Sequence, residues 1–419
     1  MLSKALFFLC VLPLPRVTTT PATLSIAQPS ISLDVLGCAA LALAPGEALP
    51  FSAARMADSN PALALRLGFK RDSPAREGAG CTSEWRLRSS PRWHLRAMRA
   101  SSEHIAAWHA LFQDCFGYAM PETTRQWKYQ GAAVMGIGVW RGDALVAFYG
   151  GMPRAVCYAG QRAMAVQIGD VMVHPSQRGA FTRQGPFQMA AATYLELYIG
   201  NKKPYLLGFG FPEEKALRLA EHLGLYAKVD SMVELRWPSL VKHPPSWSHY
   251  ARVLTPSKGE AASSMHATVV DSLWQRMQKS LGSQSVVGVR DWAYIDQRYC
   301  LHPLQCYTLL LVRRRFGGVL GLAVLRDRQA QGLVELVDLV APTAEFARIV
   351  KVCRRFAGNL GRAGLFCWIT GSHVHWLAGA DSQQSPLHLA IPANIWSPGP
   401  SADDLRNRWW LMGGDTDFR

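Results

Sequence analysis

Between residues 178 and 185 the chain places Arg178-Gly179, then Arg183, then Gly185 ahead of Pro186. Guanidiniums beside glycine backbone suit an anion with several oxygens, because charge-assisted bonds and unhindered amide N–H groups can converge on it. The flanking residues strengthen that chemistry. Val171, Met172 and Val173 read as strand, which Pro175 ends. Pro186 takes the favoured first position of an alanine-rich helix, so the loop empties into a helix N-terminus with free N–H groups and a positive dipole. A strand, a basic glycine loop and a helix in that order can hold phosphate. An incidental Arg-Gly in a strand–turn–helix is the plainer alternative, and the surrounding elements must decide.

Those elements begin at Trp93. Residues 93–98 alternate as a strand, and Ser101-Ser102-Glu103 starts a helix with Ile105, Trp108, Leu111, Phe112 and Cys115 at helical spacing. Residues 133–140 and 144–149 read as a hairpin across Arg141-Gly142-Asp143. A separate strand is expected over 154–158, a turn at Ala159-Gly160, and a strand over 163–173 into the loop. Beyond the alanine-rich helix, 205–211 reads as a buried strand, Pro212-Glu213-Glu214 opens a helix to His222, and 231–237 is a last strand.

Val173-His174-Pro175-Ser176-Gln177-Arg178-Gly179 resembles the pyrophosphate-binding segment of the GNAT acyltransferases, and the order of elements over 93–237 resembles the GNAT order. The family loop runs Arg/Gln-x-x-Gly-x-Gly/Ala. Counted from Arg178, its small residues fall on Phe181 and Arg183, and glycine returns only at Gly185, as in a longer loop. The resemblance implies an α+β fold, a mixed central sheet flanked by helices, with acetyl-CoA as acyl donor, an amine on a small molecule or protein as acceptor, and no metal. It implies that Val171, Met172, Val173, Arg178, Gly179, Ala180, Arg183 and Gly185 bind the donor, a strand N–H receiving the oxyanion.

Acyl transfer also needs a base for the amine and an acid for the departing thiolate. Asp170 is the nearest carboxylate for the first task, directly or through water, unless it only ties backbone or an arginine. The family's tyrosine acid maps onto Ala220, so Tyr226, just past Gly224, is the substitute candidate. The family's cofactor-contacting asparagine maps onto Glu213. These departures keep open a GNAT-fold binding or scaffold protein without catalysis.

Residues 239–265 read as a linker, its start rich in Pro, Ser, Trp and basic residues. A second regular block follows: helices over 272–278 and 290–299, a hairpin from 307–313 and 319–326 with Arg313-Arg314-Arg315-Phe316-Gly317-Gly318 at its tip, a strand at 332–340, a helix at 344–360 and a strand at 364–370. Arg290-Asp291-x-x-Tyr294 with Arg298-Tyr299-x-x-His302-Pro303 is similar to the C-terminal half of bacterial tandem GNAT proteins. Here the strand runs into Ala341-Pro342-Thr343-Ala344 with no Arg-Gly, so the second repeat is expected to be degenerate. The expected division is a poorly ordered extension over 1–91 with Met56 and Met98 as alternative starts, a GNAT acetyltransferase domain over 92–238, the linker, and a second GNAT-like domain over 266–419. Between the halves an acceptor groove would be lined by Trp127, Tyr129, Tyr149 and Trp292. Near the end, residues 409–412 read as a finishing strand, and Asp415-Thr416-Asp417 as a solvated end in preference to catalytic acids.

Composition bounds the rest. A chain of 419 residues, 49% hydrophobic, can bury two cores. Its formal charge of +15 favours an anionic partner, but the charge is spread along the chain, so nucleic acid is not the expected one. Nine cysteines without a Cys-x-x-Cys pair suit neither a disulfide framework nor a zinc site, and favour the cytoplasm. His373-x-His375 would set two imidazoles on one strand face without a third ligand. Lys4 and the apolar run over 5–12 have the form of a secretory signal but no small-residue cleavage site follows, and no stretch has the length of a membrane span.

Overall fold

The computed structural model describes residues 31–37, 39–40, 43, 45–71, 84–88, 92–178, 185–240, 249–254 and 260–416. The first elements are helix α1 (31–37), α2 (Phe51–Ser59), α3 (Pro61–Arg66) and the short antiparallel strands β1 (Phe69–Arg71) and β2 (Trp85–Leu87). Over residues 31–37, 45–71 and 84–88 these elements stand where a poorly ordered extension was expected. Leu33, Leu36, Ala57, Leu63, Phe69 and Trp85 are buried in one core with Leu95, Ile137 and Tyr194, and Arg66 donates to Thr193 Oγ1 at 2.6 Å. Each element is too short for its apolar residues to show a period. Residues 1–30 lie outside the described residues.

The first half continues with β3 (His94–Met98), α4 (Ser102–Phe116), α5 (Glu122–Lys128), β4 (Gly136–Arg141), β5 (Ala144–Tyr158), β6 (Gln161–Val173), α6 (Pro186–Tyr198), β7 (Leu207–Phe209), α7 (Glu214–His222) and β8 (Tyr226–Pro238). Local chemistry sets many of these bounds. Ser101 caps α4 by accepting from the His104 N–H at 3.3 Å, and the turn at Gly142 has the positive φ that a tight hairpin needs. The strand expected separately over 154–158 is the far end of β5, which passes through Gly150-Gly151 without a break.

The second half adds β9 (His249–Leu254), α8 (Glu260–Leu281), β10 (Val286–Gly288), α9 (Trp292–Ile295), β11 (Thr308–Arg314), β12 (Val319–Arg328), β13 (Leu333–Val340), α10 (Phe346–Asn359), β14 (Gly364–Thr370), β15 (Gln383–Asn394), α11 (Ala402–Leu405) and β16 (Trp409–Trp410). Residues 373–375 lie in a 3₁₀ turn rather than on a strand, and His373 is buried against Trp376 and Trp410.

Each half contributes a mixed sheet, and the halves exchange strands. In the first sheet β5 pairs with β4 at its start, with β6 along its length and with β10 at its end; β3 borders β4, β7 lies parallel to β6, and β16 parallel to β10. The second sheet runs β15-β8-β14-β13-β12-β11-β9. The boundary expected at residue 238 therefore does not separate the sheets. β8 sits between β14 and β15, with Val233, Leu235 and Trp237 in the second core. The expected linker likewise supplies β9, the edge strand beside β11. A further core joins the halves, combining Val156, Leu207 and Phe209 with Val286, Ile391 and Trp409.

The two halves share a motif with opposite outcomes. β6 and β7 pair in parallel from Ala165↔Leu207 to Gln167↔Phe209, and β13 and β14 from Leu333↔Gly364 to Glu335↔Phe366. Beyond the second pair the C-terminal turn Gly413–Asp415 packs in. A Cβ on Gly414 would fall 2.0 Å from the Tyr299 hydroxyl, so only glycine passes there. Asp415 is buried and bonded to Arg290, which corrects the expectation of a solvated end. Burial alone would push its carboxyl up, but Arg290 and Arg154 outweigh that and hold it below the usual carboxylate range. Among the described residues no helix is long and apolar enough to cross a membrane, and no group of three or more His, Cys, Asp or Glu could hold a metal ion.

Candidate active site

A bulge on β6 builds the site. Between the pairs Phe148↔Met172 and Gly150↔Gly169, β5 has one residue, Tyr149, and β6 has two, Asp170 and Val171. An extra residue bends a strand and re-aims a side chain. Asp170 carries the bend at φ 51°, a left-handed conformation strained for a residue with a Cβ. Close packing beneath it depends on Gly150, whose added Cβ would meet the Met135 carbonyl oxygen at 2.1 Å.

The re-aimed carboxylate is held from the end of α5. Lys128 Nζ lies 2.7 Å from Asp170 Oδ1, and the Tyr129 hydroxyl donates to Oδ2 at 2.9 Å. Both ionic side chains are buried, at 3% and 8% exposure. Asp170 thus bonds a lysine, where the plainer sequence reading had an arginine or backbone. Sequence reasoning missed Lys128 as a functional residue, although it stands between two aromatics at a helix end.

Where β6 and β7 part, the gap becomes a cavity of about 440 Å³. Ile168 to Val171 line it along β6, and Gly210 to Glu213 enter from the segment leading to α7. Phe112, Phe116 and Tyr118 close one side, and Phe187 from the first turn of α6 another. Gly185 is the N-cap of α6 with Pro186 at its first position, so the N–H groups of that turn lack intrahelical acceptors. Arg178 is exposed, its Nε donating to the Val173 carbonyl at 3.1 Å. Gly179, Ala180 and Arg183 lie outside the described residues.

The remaining candidates divide. Val171 faces the cavity, whereas Met172 is buried in the small core under α4. Tyr226 and Tyr149 both line the cavity, their hydroxyls bonded to each other. Burial pushes both phenols upward from their ordinary range, so each stays protonated and able to donate. Ala220 and Glu213 line the same cavity. Trp127 reaches across to the second half, donating from Nε1 to the Gln297 carbonyl at 2.9 Å, while Trp292 is buried in the second core.

A strand that bulges and splits from its parallel neighbour, above a helix N-terminus, defines the GNAT acyltransferase fold. Residues 96–211 match the family model described as Acetyltransferase (GNAT) domain, so the first half of the chain carries a GNAT domain. Among solved structures, the chain is similar to a GCN5-related N-acetyltransferase from Anabaena variabilis at 12% identity, covering 72% of this chain and 73% of that one with a TM-score of 0.52. A conserved Enterococcus faecalis protein designated "Probable N-Acyltransferase" matches at 16% identity over 72% of each chain, TM-score 0.51. The N-myristoyltransferase of Saccharomyces cerevisiae aligns at 11% identity over 83% of this chain and 91% of that one, TM-score 0.47. No curated protein matches by sequence.

Proposed function

We propose that the chain is an N-acyltransferase that takes an acetyl group from acetyl-CoA and passes it to an amine, in the cytoplasm where that donor is made. The observation that carries this reading is the cavity in the β6–β7 gap, which sets an exposed strand edge, a helix N-terminus and a bulged carboxylate around one space. In this reading the pyrophosphate rests against the start of α6 with Arg178, Gly179, Ala180, Arg183 and Gly185, and the pantetheine arm follows β6 into the gap. A backbone N–H from Val171, Met172 or Val173 receives the oxyanion. Asp170, directly or through water, takes the proton that the attacking amine loses. Tyr226, coupled to Tyr149, donates to the departing thiolate. The atoms balance: the amine nitrogen gains the acyl carbon, the C–S bond breaks, Asp170 holds the amine's proton while Tyr226 gives one to sulfur, and both groups are reset by proton exchange with solvent.

A thermal-shift titration with acetyl-CoA and desulfo-CoA, followed by thiol release across an amine panel, tests the reading. Stabilisation with turnover supports it. Stabilisation without turnover favours a binding or scaffold protein, and no stabilisation by either compound overturns donor binding itself.

A further inference from the structure

A second cavity, of about 330 Å³, lies between the halves. Trp127 and Lys128 of α5, Arg154 of β5, Gln167 of β6, and Tyr294 and Arg298 of the second half line it. Lys128 borders this space while its partner Asp170 borders the donor cavity. One ion pair therefore forms the partition between the two.

Among the described residues the charges on the far side do not balance. Arg290 is fully buried and takes Asp338 Oδ1 at 2.8 Å together with Asp415 Oδ2. Arg154 is left with the other Asp415 oxygen at 3.5 Å, the Val289 carbonyl at 2.8 Å and the Tyr294 ring at 3.5 Å. Arg298 donates to the carbonyls of Gly414 and Thr416 and lies over the Trp127 ring, and meets no carboxylate among the described residues. Three guanidiniums share two carboxylates, while Lys128 is paired with Asp170. A charge removed from water wants a counter-ion, and a planar guanidinium fits a carboxylate through two parallel bonds.

We propose that the acceptor is an amine that also carries a carboxylate, an amino acid or short ω-amino acid, seated in this cavity with its carboxylate on Arg154 and Arg298. Its amine then points at the Lys128–Asp170 partition, on the side from which a thioester in the donor cavity is attacked. The fate of the amine rests on the acyl-transfer reading above; the capture of the carboxylate does not.

The test separates the two. Calorimetry on the full chain, without acyl donor, compares free amino acids and γ-aminobutyrate with their methyl esters. At least one free acid is expected to bind tenfold or more tightly than its ester, which needs no variant and no turnover. Arg298→Gln and Arg154→Gln should bring the acid down to the ester's level while the thermal shift with desulfo-CoA persists. Equal binding of acid and ester, or no binding by any acid, overturns the proposal. Binding of an acid without thiol release upholds the anion site and counts against acyl transfer alone.

Discussion

Lys128 at the end of α5 and Asp170 on the β6 bulge meet at 2.7 Å, out of water, and so tie the helix before the first hairpin to the strand that borders the β6–β7 cavity. Asp170→Asn should lower thiol release by about a hundredfold or more, the range for a lost general base. It should also destabilise the fold by about 3–5 kcal/mol, because the lysine cation is left buried without its partner. The double variant Lys128→Met with Asp170→Leu should recover much of the stability and none of the activity. Melting curves beside initial rates read both effects.

Tyr226→Phe removes one hydroxyl of the buried pair and leaves Tyr149 without its bonding partner. The cost is about 1–3 kcal/mol of stability. If Tyr226 protonates the thiolate, kcat should fall while KM for the donor stays put; a change in KM alone would assign the residue to packing.

Arg178→Ala should raise the donor's dissociation constant on the order of tenfold, as expected for about 1–3 kcal/mol of charge-assisted bonding to phosphate. An acyl-pantetheine lacking the pyrophosphate should bind wild type and variant alike. Calorimetry with both compounds checks it.

A fragment ending at residue 238 should fail to fold alone. It would carry β8 without β14 and β15, exposing Val233, Leu235 and Trp237, and would lose β10 and β16 from its own sheet. A soluble, cooperatively melting 92–238 fragment would contradict the strand exchange.

Acid should weaken the fold through two histidines. Burial lowers the imidazole of His373 to about 4, with His375 adding to it, and burial lowers His302 to about 4, with Arg298 and Arg326 adding to it. Unfolded histidines titrate near 6.5, so the unfolded chain binds more protons as pH falls below that value. Their contribution is complete above about pH 6.5 and is lost on acidification toward pH 4. Melting temperature against pH should show this slope, and it should flatten in His373→Phe.

What the sequence made legible was local. Ser101 ahead of α4, Gly142 in the hairpin, Gly185-Pro186 at α6 and the uninterrupted strand from Gly364 to Thr370 announce themselves through neighbours a few residues away. The cavity residues Asp170, Val171 and Tyr226 were reachable because the family pattern points at that strand and that helix. Lys128 was not, since its role depends on a partner 42 positions distant. Nor was the membership of β8, whose pairing with β14 and β15 is fixed by which core Val233 and Trp237 enter rather than by their own spacing. Asp415 looked solvated for the same reason: nothing near it in the chain announces Arg290.

The Gly413–Asp415 turn has a consequence for stoichiometry. With that turn wedged where the second pair of parallel strands diverges, a carrier could enter only by evicting a glycine pressed against Tyr299 and an aspartate clamped by Arg290. A titration with donor should therefore break at a single equivalent per chain. On the proposed reading one lobe is loaded and the other serves as its brace.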